Sequence, residues 1–460
     1  MPKPAMTMCK PDKEHHLDGN SPWDIPLMYV GGFVVYAPSP FRDTVCDPSR
    51  EPDRGMVERS RLCDGRQRPA CTVLHGDCVH RTGFPGSFAP IMNNPFRYRR
   101  TFVPLTCTGI ILGSCTWSCG NASVPAGDGQ PKTDPFLSAT VAQFNVDGLG
   151  VIEGSVGRKG DLDPFLLGPM SAGDRLTIDA DTGSSPLDVS IGIFDADQRL
   201  VFANDDRAPF DLDAFADITL RHGSDAYFLV VTHSAFAEKF RETGTYSITI
   251  QHRPGSIVPP AVGQTILLDF DGGNVESPVL GEFSVEPFSG ERIASVYAGK
   301  TDELKRGIRE TMEQNFSRFD VTIVTTDDPL PENDAPVSTI FFGGFDARAF
   351  GQAEGVDLYN AEFCDDAIIF AESFTTNLFS TTPTAGQMAI AIGNVASHEA
   401  GHLLGLNHVA DDDALMDDRS AADAFLRDQE FIEAPLSTDV MPIGVQDAAL
   451  LLFETVGPRT

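Results

Sequence analysis

Positive charge is scarce in this chain. Its 460 residues carry 34 Lys and Arg against 66 Asp and Glu, a formal charge of −32, which argues against nucleic acid or an anionic membrane surface as a partner. The deficit is unevenly placed: residues 1–100 hold 14 basic and 11 acidic side chains, and residues 101–460 hold 20 and 55. So acidic a segment suits solubility, calcium binding or salty surroundings. Cysteine is missing from the same part. Eight of the 9 cysteines lie at or before Cys119 and only Cys364 follows, which excludes a disulfide framework or a four-cysteine zinc knot there and leaves Cys364 as a buried thiol. No run of 18 apolar residues exists, so no membrane-spanning helix is expected. With 41% hydrophobic residues, the chain is long enough for two or three domains with ordinary cores.

Residues 1–91 are rich in Pro, Arg, Gly, His and Cys and show no sustained period of 3.6 or 2. They read as an unstructured leader or an upstream misreading, with translation starting at Met92. Residues 92–122 have the layout of an export signal: Met92, the basic Arg97, Arg99 and Arg100, an apolar stretch over 101–114, then small residues. Arg99-Arg100-Thr101-Phe102-Val103 resembles a twin-arginine signal, and Leu112-Gly113-Ser114-Cys115 resembles the lipobox of bacterial lipoproteins. The expectation is an exported protein, extracellular or in the cell envelope, whose membrane contact is a lipid anchor at Cys115. Ordinary cleavage near Ala122 would instead release a soluble protein.

Two stretches of linker composition, 123–137 and 253–263, bracket a first folded unit at 138–252. Its short alternating runs at 175–179, 187–194, 200–203, 227–232 and 246–251 are separated by Gly, Asp and Asn turns, the spacing of an all-β sandwich. The pieces Gly160-Asp161-Leu162-Asp163-Pro164-Phe165, Ala172-Gly173-Asp174-Arg175-Leu176-Thr177-Ile178, Phe202-Ala203-Asn204-Asp205-Asp206 and Gly244-Thr245-Tyr246-Ser247-Ile248 resemble the bacterial pre-peptidase C-terminal domain. That resemblance implies a jelly-roll-like module accompanying a secreted peptidase. Asp205, Asp206, Asp211 and Asp213 carry the oxygen ligands that calcium prefers, and the same acids also read as solvated turn residues. His222, His233 and His252 read as ordinary polar residues of this unit.

The second unit, 264–460, reads as α/β. An apolar strand at 265–270 is followed by a helix from Thr301, as its cap, to about Phe319, with Leu304, Ile308, Met312 and Phe316 on one stripe. Strands follow at 321–325, 338–342 and 367–371, and a terminal helix at 445–455. Gln387 opens a long helix that carries the chemistry. It continues as His398-Glu399-Ala400-Gly401-His402-Leu403-Leu404-Gly405-Leu406-Asn407-His408. Residues four apart share a helix face, so His398 and His402 can aim at one ion while Glu399, one step round, reaches its water. Gly405 can take a positive φ, which stops the helix and lets His408 arrive from a loop as third ligand. Three neutral imidazoles leave a fourth zinc position for water, which separates a catalytic site from a closed structural one.

His398, Glu399, His402, Gly405 and His408 together resemble the motif of metzincin metallopeptidases. The resemblance implies an α/β (α+β) catalytic domain with a mixed sheet, an active-site helix, and a methionine in a tight turn beneath the zinc. Met416, eight residues after His408 as in matrixins, is the choice for that methionine, and Met441 in Asp439-Val440-Met441-Pro442 is the competitor. No tyrosine follows Met416 as an extra ligand, and no cysteine-switch propeptide stands in the sequence. The implied activity is that of a zinc metalloendopeptidase acting on proteins or peptides, with Glu399 as general base and no covalent intermediate. A substrate strand would pair with the sheet edge, expected at 367–371. The alternative is a lipid-anchored surface binding or adhesion module with a vestigial zinc site. Glu399 separates the two, because a purely structural site has no use for a carboxylate there.

Overall fold

The computed structural model describes residues 134–460 apart from 209, 278–279, 330–336 and 419–420. The leader, the export signal and the lipobox with Cys115 lie outside the described residues. The described chain is β-rich and builds two separate apolar cores.

The first core lies between two sheets. Its strands are β1 (Thr140–Val141), β2 (Leu149–Val156), β3 (Asp163–Met170), β4 (Arg175–Asp181), β5 (Val189–Phe194), β6 (Leu200–Asn204), β7 (Phe215–Thr219), β8 (Ser224–His233) and β9 (Gly244–Arg253). The orders are β1-β3-β8-β5-β6 and β2-β9-β4-β7. Alternating residues, Leu176, Ile178 and Ala180 on β4 and Tyr246, Ile248 and Ile250 on β9, face Ile191, Ile193, Leu229 and Val231 of the other sheet. Sequence reading finds β4, β5, β6, β8 and β9 and misses β1, β2, β3 and β7. In β2 the pattern is broken by Gly154, and a side chain there would collide with the ring of Tyr246. In β3, Pro164, Gly168 and Pro169 accompany two register shifts. Strand β5 departs from alternation altogether: all six of its residues are buried. Val189, Ile191 and Ile193 enter the sandwich core, while Phe194 faces outward into a third cluster with Phe136, Val230, Leu436, Val440 and Met441.

The chain is already part of the fold at Asp134, which corrects the expected linker end at 137. Phe136, in a short turn at Pro135–Ser138, packs edge-on against Phe194 and Phe228. The second linker is pinned too, with Gly255 N–H donating to Asp174 Oδ1 (2.9 Å) and Val262 N–H to the Thr455 carbonyl (3.0 Å). Three of the four acids considered for calcium have protein partners. Asp211 pairs with Arg207, Asp213 accepts from Thr182, and Asp205 accepts from Ser234. No three ligand atoms gather there among the described residues.

The second region comprises β10 (Gln264–Asp269), β11 (Gly273–Ser277), β12 (Gly281–Val285), α1 (Gly290–Ile293), α2 (Thr301–Asn315), β13 (Val321–Thr325), β14 (Val337–Phe342), β15 (Gly351–Ala353), β16 (Asp366–Ile369), α3 (Ala385–Leu403), β17 (Glu433–Pro435), β18 (Val445–Asp447) and α4 (Ala448–Thr455). Its main sheet has the order β13-β10-β14-β16-β15. The first four strands are parallel and β15 runs antiparallel to β16. The edges are therefore β13 and β15, and the 367–371 strand is an interior strand between β14 and β15. Helix α2 ends at Asn315 and not at Phe319, because Phe319 turns away to pack on Phe431 and Phe453. Thr301 does not cap it; its hydroxyl accepts from Gly290 N–H instead. The terminal stretch 445–455 is divided between β18 and α4. Cys364 is half-buried.

Helices α2 and α3 pack together through small residues. A Cβ on Gly307 would lie 2.7 Å from Ala389 Cβ, and one on Gly393 2.7 Å from Thr311 Cβ, so the glycine inside α3 is there for close approach. Thr384 and Gln387 form a reciprocal cap at the α3 N-terminus (3.2 and 3.0 Å). Fifteen of its 19 residues are buried, and the last turns project into a cleft.

Candidate metal centre

Helix α3 presents His398 and His402 one turn apart, then stops. Leu406 N–H returns to the Gly401 carbonyl and Gly405 N–H to the His402 carbonyl, both at 2.9 Å, with Gly405 at φ +95°. That is a Schellman ending. A Cβ on Gly405 would also lie 2.9 Å from Leu358 Cα, so both conformation and space require glycine. The turn delivers His408 to the other two imidazoles.

The three Nε2 atoms converge, His402 Nε2 standing 3.0 Å from that of His398 and 3.1 Å from that of His408. Two imidazole nitrogens bound tetrahedrally to one zinc stand about 3.3 Å apart. Each outward-facing Nδ1 is engaged: His398 with the Leu415 carbonyl (2.7 Å), His402 with the Leu406 carbonyl (2.8 Å) and His408 with Asp439 Oδ2 (2.9 Å). Holding Nδ1 as a donor leaves the Nε2 lone pair pointing inward. Burial pushes His398 down to about 3, with the neighbouring His408 adding to the effect, and holds His402 well below the ordinary range. For His408 burial acts in the same sense, but the Asp439 hydrogen bond and charge outweigh it and raise it. A donor set of three nitrogens, all within 4.8 Å of one another and each ring oriented by a second partner, fits zinc.

Glu399 is buried beside the triad. Its carboxylate accepts from the Ala353 N–H of β15, and burial pushes it up to about 8. A Cβ on Gly351 would lie 2.5 Å from Glu399 Oε1, so the edge strand passes directly over the carboxylate. Between β15 and α3 opens a cleft of about 340 Å³ whose walls include Gln352, Val395, Leu415 and Phe425.

Met416 is buried, and its sulfur lies where a Cβ on Gly401 would fall, at 2.6 Å. It therefore packs against α3 between the turns bearing His398 and His402. Met441 is also buried but lies with Phe194 and Leu436 in the third cluster, away from the imidazoles. Asp439 escapes sequence reading. It stands in the same short segment as Met441, where only the methionine draws notice, and its contact to His408 spans 31 residues. Of the remaining histidines, His252 bonds Asp174 (2.9 Å) and His233 accepts from Gly160 N–H (3.1 Å).

No protein-family model and no curated protein matches this chain. Solved structures give loose likenesses. A zinc-dependent peptidase from Methanocorpusculum labreanum is 13% identical over 41% of this chain and 100% of its own, with a TM-score of 0.25. Archaemetzincin from Methanopyrus kandleri is 14% identical over 43% and 98%, at 0.22. The pre-peptidase C-terminal domain of a collagenase from Bacillus anthracis is 16% identical over 25% and 94%, at 0.18.

Proposed function

We propose that this protein is a zinc-dependent endopeptidase of metzincin type. One observation carries the reading: three imidazole Nε2 atoms gathered at 3.0 and 3.1 Å with a buried carboxylate beside them on the wall of an open cleft. When bound, zinc supplies Lewis-acid chemistry, activating a water and stabilising developing negative charge on the scissile carbonyl. His398, His402 and His408 would hold it. Glu399, buried beside the three imidazoles, would take the proton of the attacking water and pass it to the leaving amine. The outer edge of β15 offers backbone groups to an extended substrate, which is recognition by main chain with weak sequence demand. Met416 packs beneath the ligands and bonds to nothing in the reaction.

The accompanying reading of the N-terminal sandwich, 138–252, is a pre-peptidase module on an exported enzyme, tethered through Cys115. Mass spectrometry of the mature N-terminal peptide tests it. An acylated Cys115 supports the tether, a free terminus near Ala122 supports release, and peptides from residues 1–91 in the mature protein overturn both.

The function itself is tested by metal analysis and digestion of casein. Expected are about one zinc per chain, loss of cleavage on chelation and its return on adding zinc. Full cleavage by exhaustively metal-free protein would overturn the assignment.

A further inference from the structure

Two of the three imidazoles are held by the geometry of α3 and by the backbone carbonyls of Leu415 and Leu406. The third is different. His408 stands on a loop, and its Nδ1 is held by Asp439, which belongs to the segment between β17 and β18. That segment turns one side to His408 and the other to the β-sandwich.

On the inner side, Ser437 N–H donates to the His408 carbonyl (3.1 Å) and Ala410 N–H to the Pro435 carbonyl (2.8 Å). On the outer side, Leu436, Val440 and Met441 are buried with Phe194 and Val230 of the sandwich. A Cβ on Gly192 would lie 2.8 Å from Met441 Cε, and one on Gly444 would strike the Phe194 ring; Gly444 also holds φ +87°. The ends of the segment are fastened as well. Val445 N–H donates to the Gln198 carbonyl (3.0 Å), and the Arg199 guanidinium reaches Glu433 (2.8 Å) and Asp447 (3.6 Å). This contact accounts for the burial of β5 on both faces.

We infer that the β-sandwich is a positioning element of the metal centre: the outer face of β5, through Phe194 and Gly192, seats the 436–444 segment so that Asp439 orients His408. Phe194 is a positioning residue that acts through Asp439 and touches neither metal nor substrate. The inference rests on the metal-centre reading above. It makes the sandwich part of the working site.

Zinc affinity of the full-length protein, measured by competition with a chromogenic chelator, tests this. Removing an outer-shell partner of a metal-bound histidine weakens metal binding by about 10- to 100-fold, so Asp439→Ala should fall in that range and Phe194→Ala should approach it. The double variant should be little weaker than Asp439→Ala alone, because both act through one contact. Gly192→Val, which intrudes on Met441, and the milder Phe194→Leu provide further variants should Phe194→Ala fail to fold. Ile178→Ala, inside the sandwich core and away from the contact, should lower the melting temperature and leave zinc affinity unchanged. Wild-type affinity in the folded Phe194 and Gly192 variants, equal loss in Ile178→Ala, or fully additive losses in the double variant would each overturn the inference. A wild-type chain that holds no zinc would overturn the peptidase reading and this inference with it, whereas unchanged variants of a zinc-binding wild type overturn this inference alone.

Discussion

His222 is half-buried and His402 buried, and their surroundings push the two imidazoles in opposite directions. His222, between β7 and β8 of the sandwich, stands 2.8 Å from Glu454 of α4 and 3.4 Å from Asp195. The two carboxylates overcome burial and lift it to about 9. His402 instead meets a backbone carbonyl and two further imidazoles, and burial keeps it neutral. Burial is common to both, so the partners decide. A carboxylate at the ring makes a cation that ties two regions together; a carbonyl at Nδ1 leaves a neutral ring with a lone pair for a metal. His408 lies between these cases, because its Nδ1 partner is the Asp439 carboxylate, whose own group is held down at about 2: burial opposes this, and the His408 hydrogen bond prevails.

The sharpest way to break the comparison is at the neutral ring. His402→Ala should abolish both zinc binding and casein cleavage, read by metal analysis and turnover. Glu399→Gln should keep the metal and reduce kcat by about 10²- to 10⁴-fold, since the amide cannot take the proton; near-normal turnover would mean that another residue is the base.

The charged ring is tested by pH. Its folded pKa lies above the unfolded value of about 6.5, so the stability it adds is fully present below that pH and is lost as pH rises through about 9. Wild-type protein should lose on the order of 3 kcal/mol between pH 6 and 10 from this group. Glu454→Gln should flatten the difference and lower the imidazole pKa followed by NMR. Identical wild-type and Glu454→Gln stability profiles would remove the clasp. The smallest effect is expected at Met416→Leu, a volume-conserving swap costing less than about 1.5 kcal/mol with zinc content unchanged.

Much of the candidate site is legible in the amino-acid sequence, and the legible part is local. The four-residue step from His398 to His402 and the positive φ demanded at Gly405 are properties of a single helix and its end, so spacing alone leads to the cluster of three imidazoles found in the structure. The apolar stripe of Leu304, Ile308 and Met312 is readable for the same reason. Where Gly154, Gly168 or Pro164 interrupts alternation, the strand exists because a neighbour packs or pairs across the break, and no window of sequence contains that neighbour.

Local sequence thus dictates the chemistry offered at positions 398, 399, 402 and 408, since helix periodicity and glycine's conformational freedom operate over a few residues. Tertiary packing alone makes β15 the sheet edge over Glu399, brings Asp439 to His408 across 31 residues, and buries β5 on both faces. Each depends on which surfaces meet when apolar faces leave water, and that driving force has no direction along the chain.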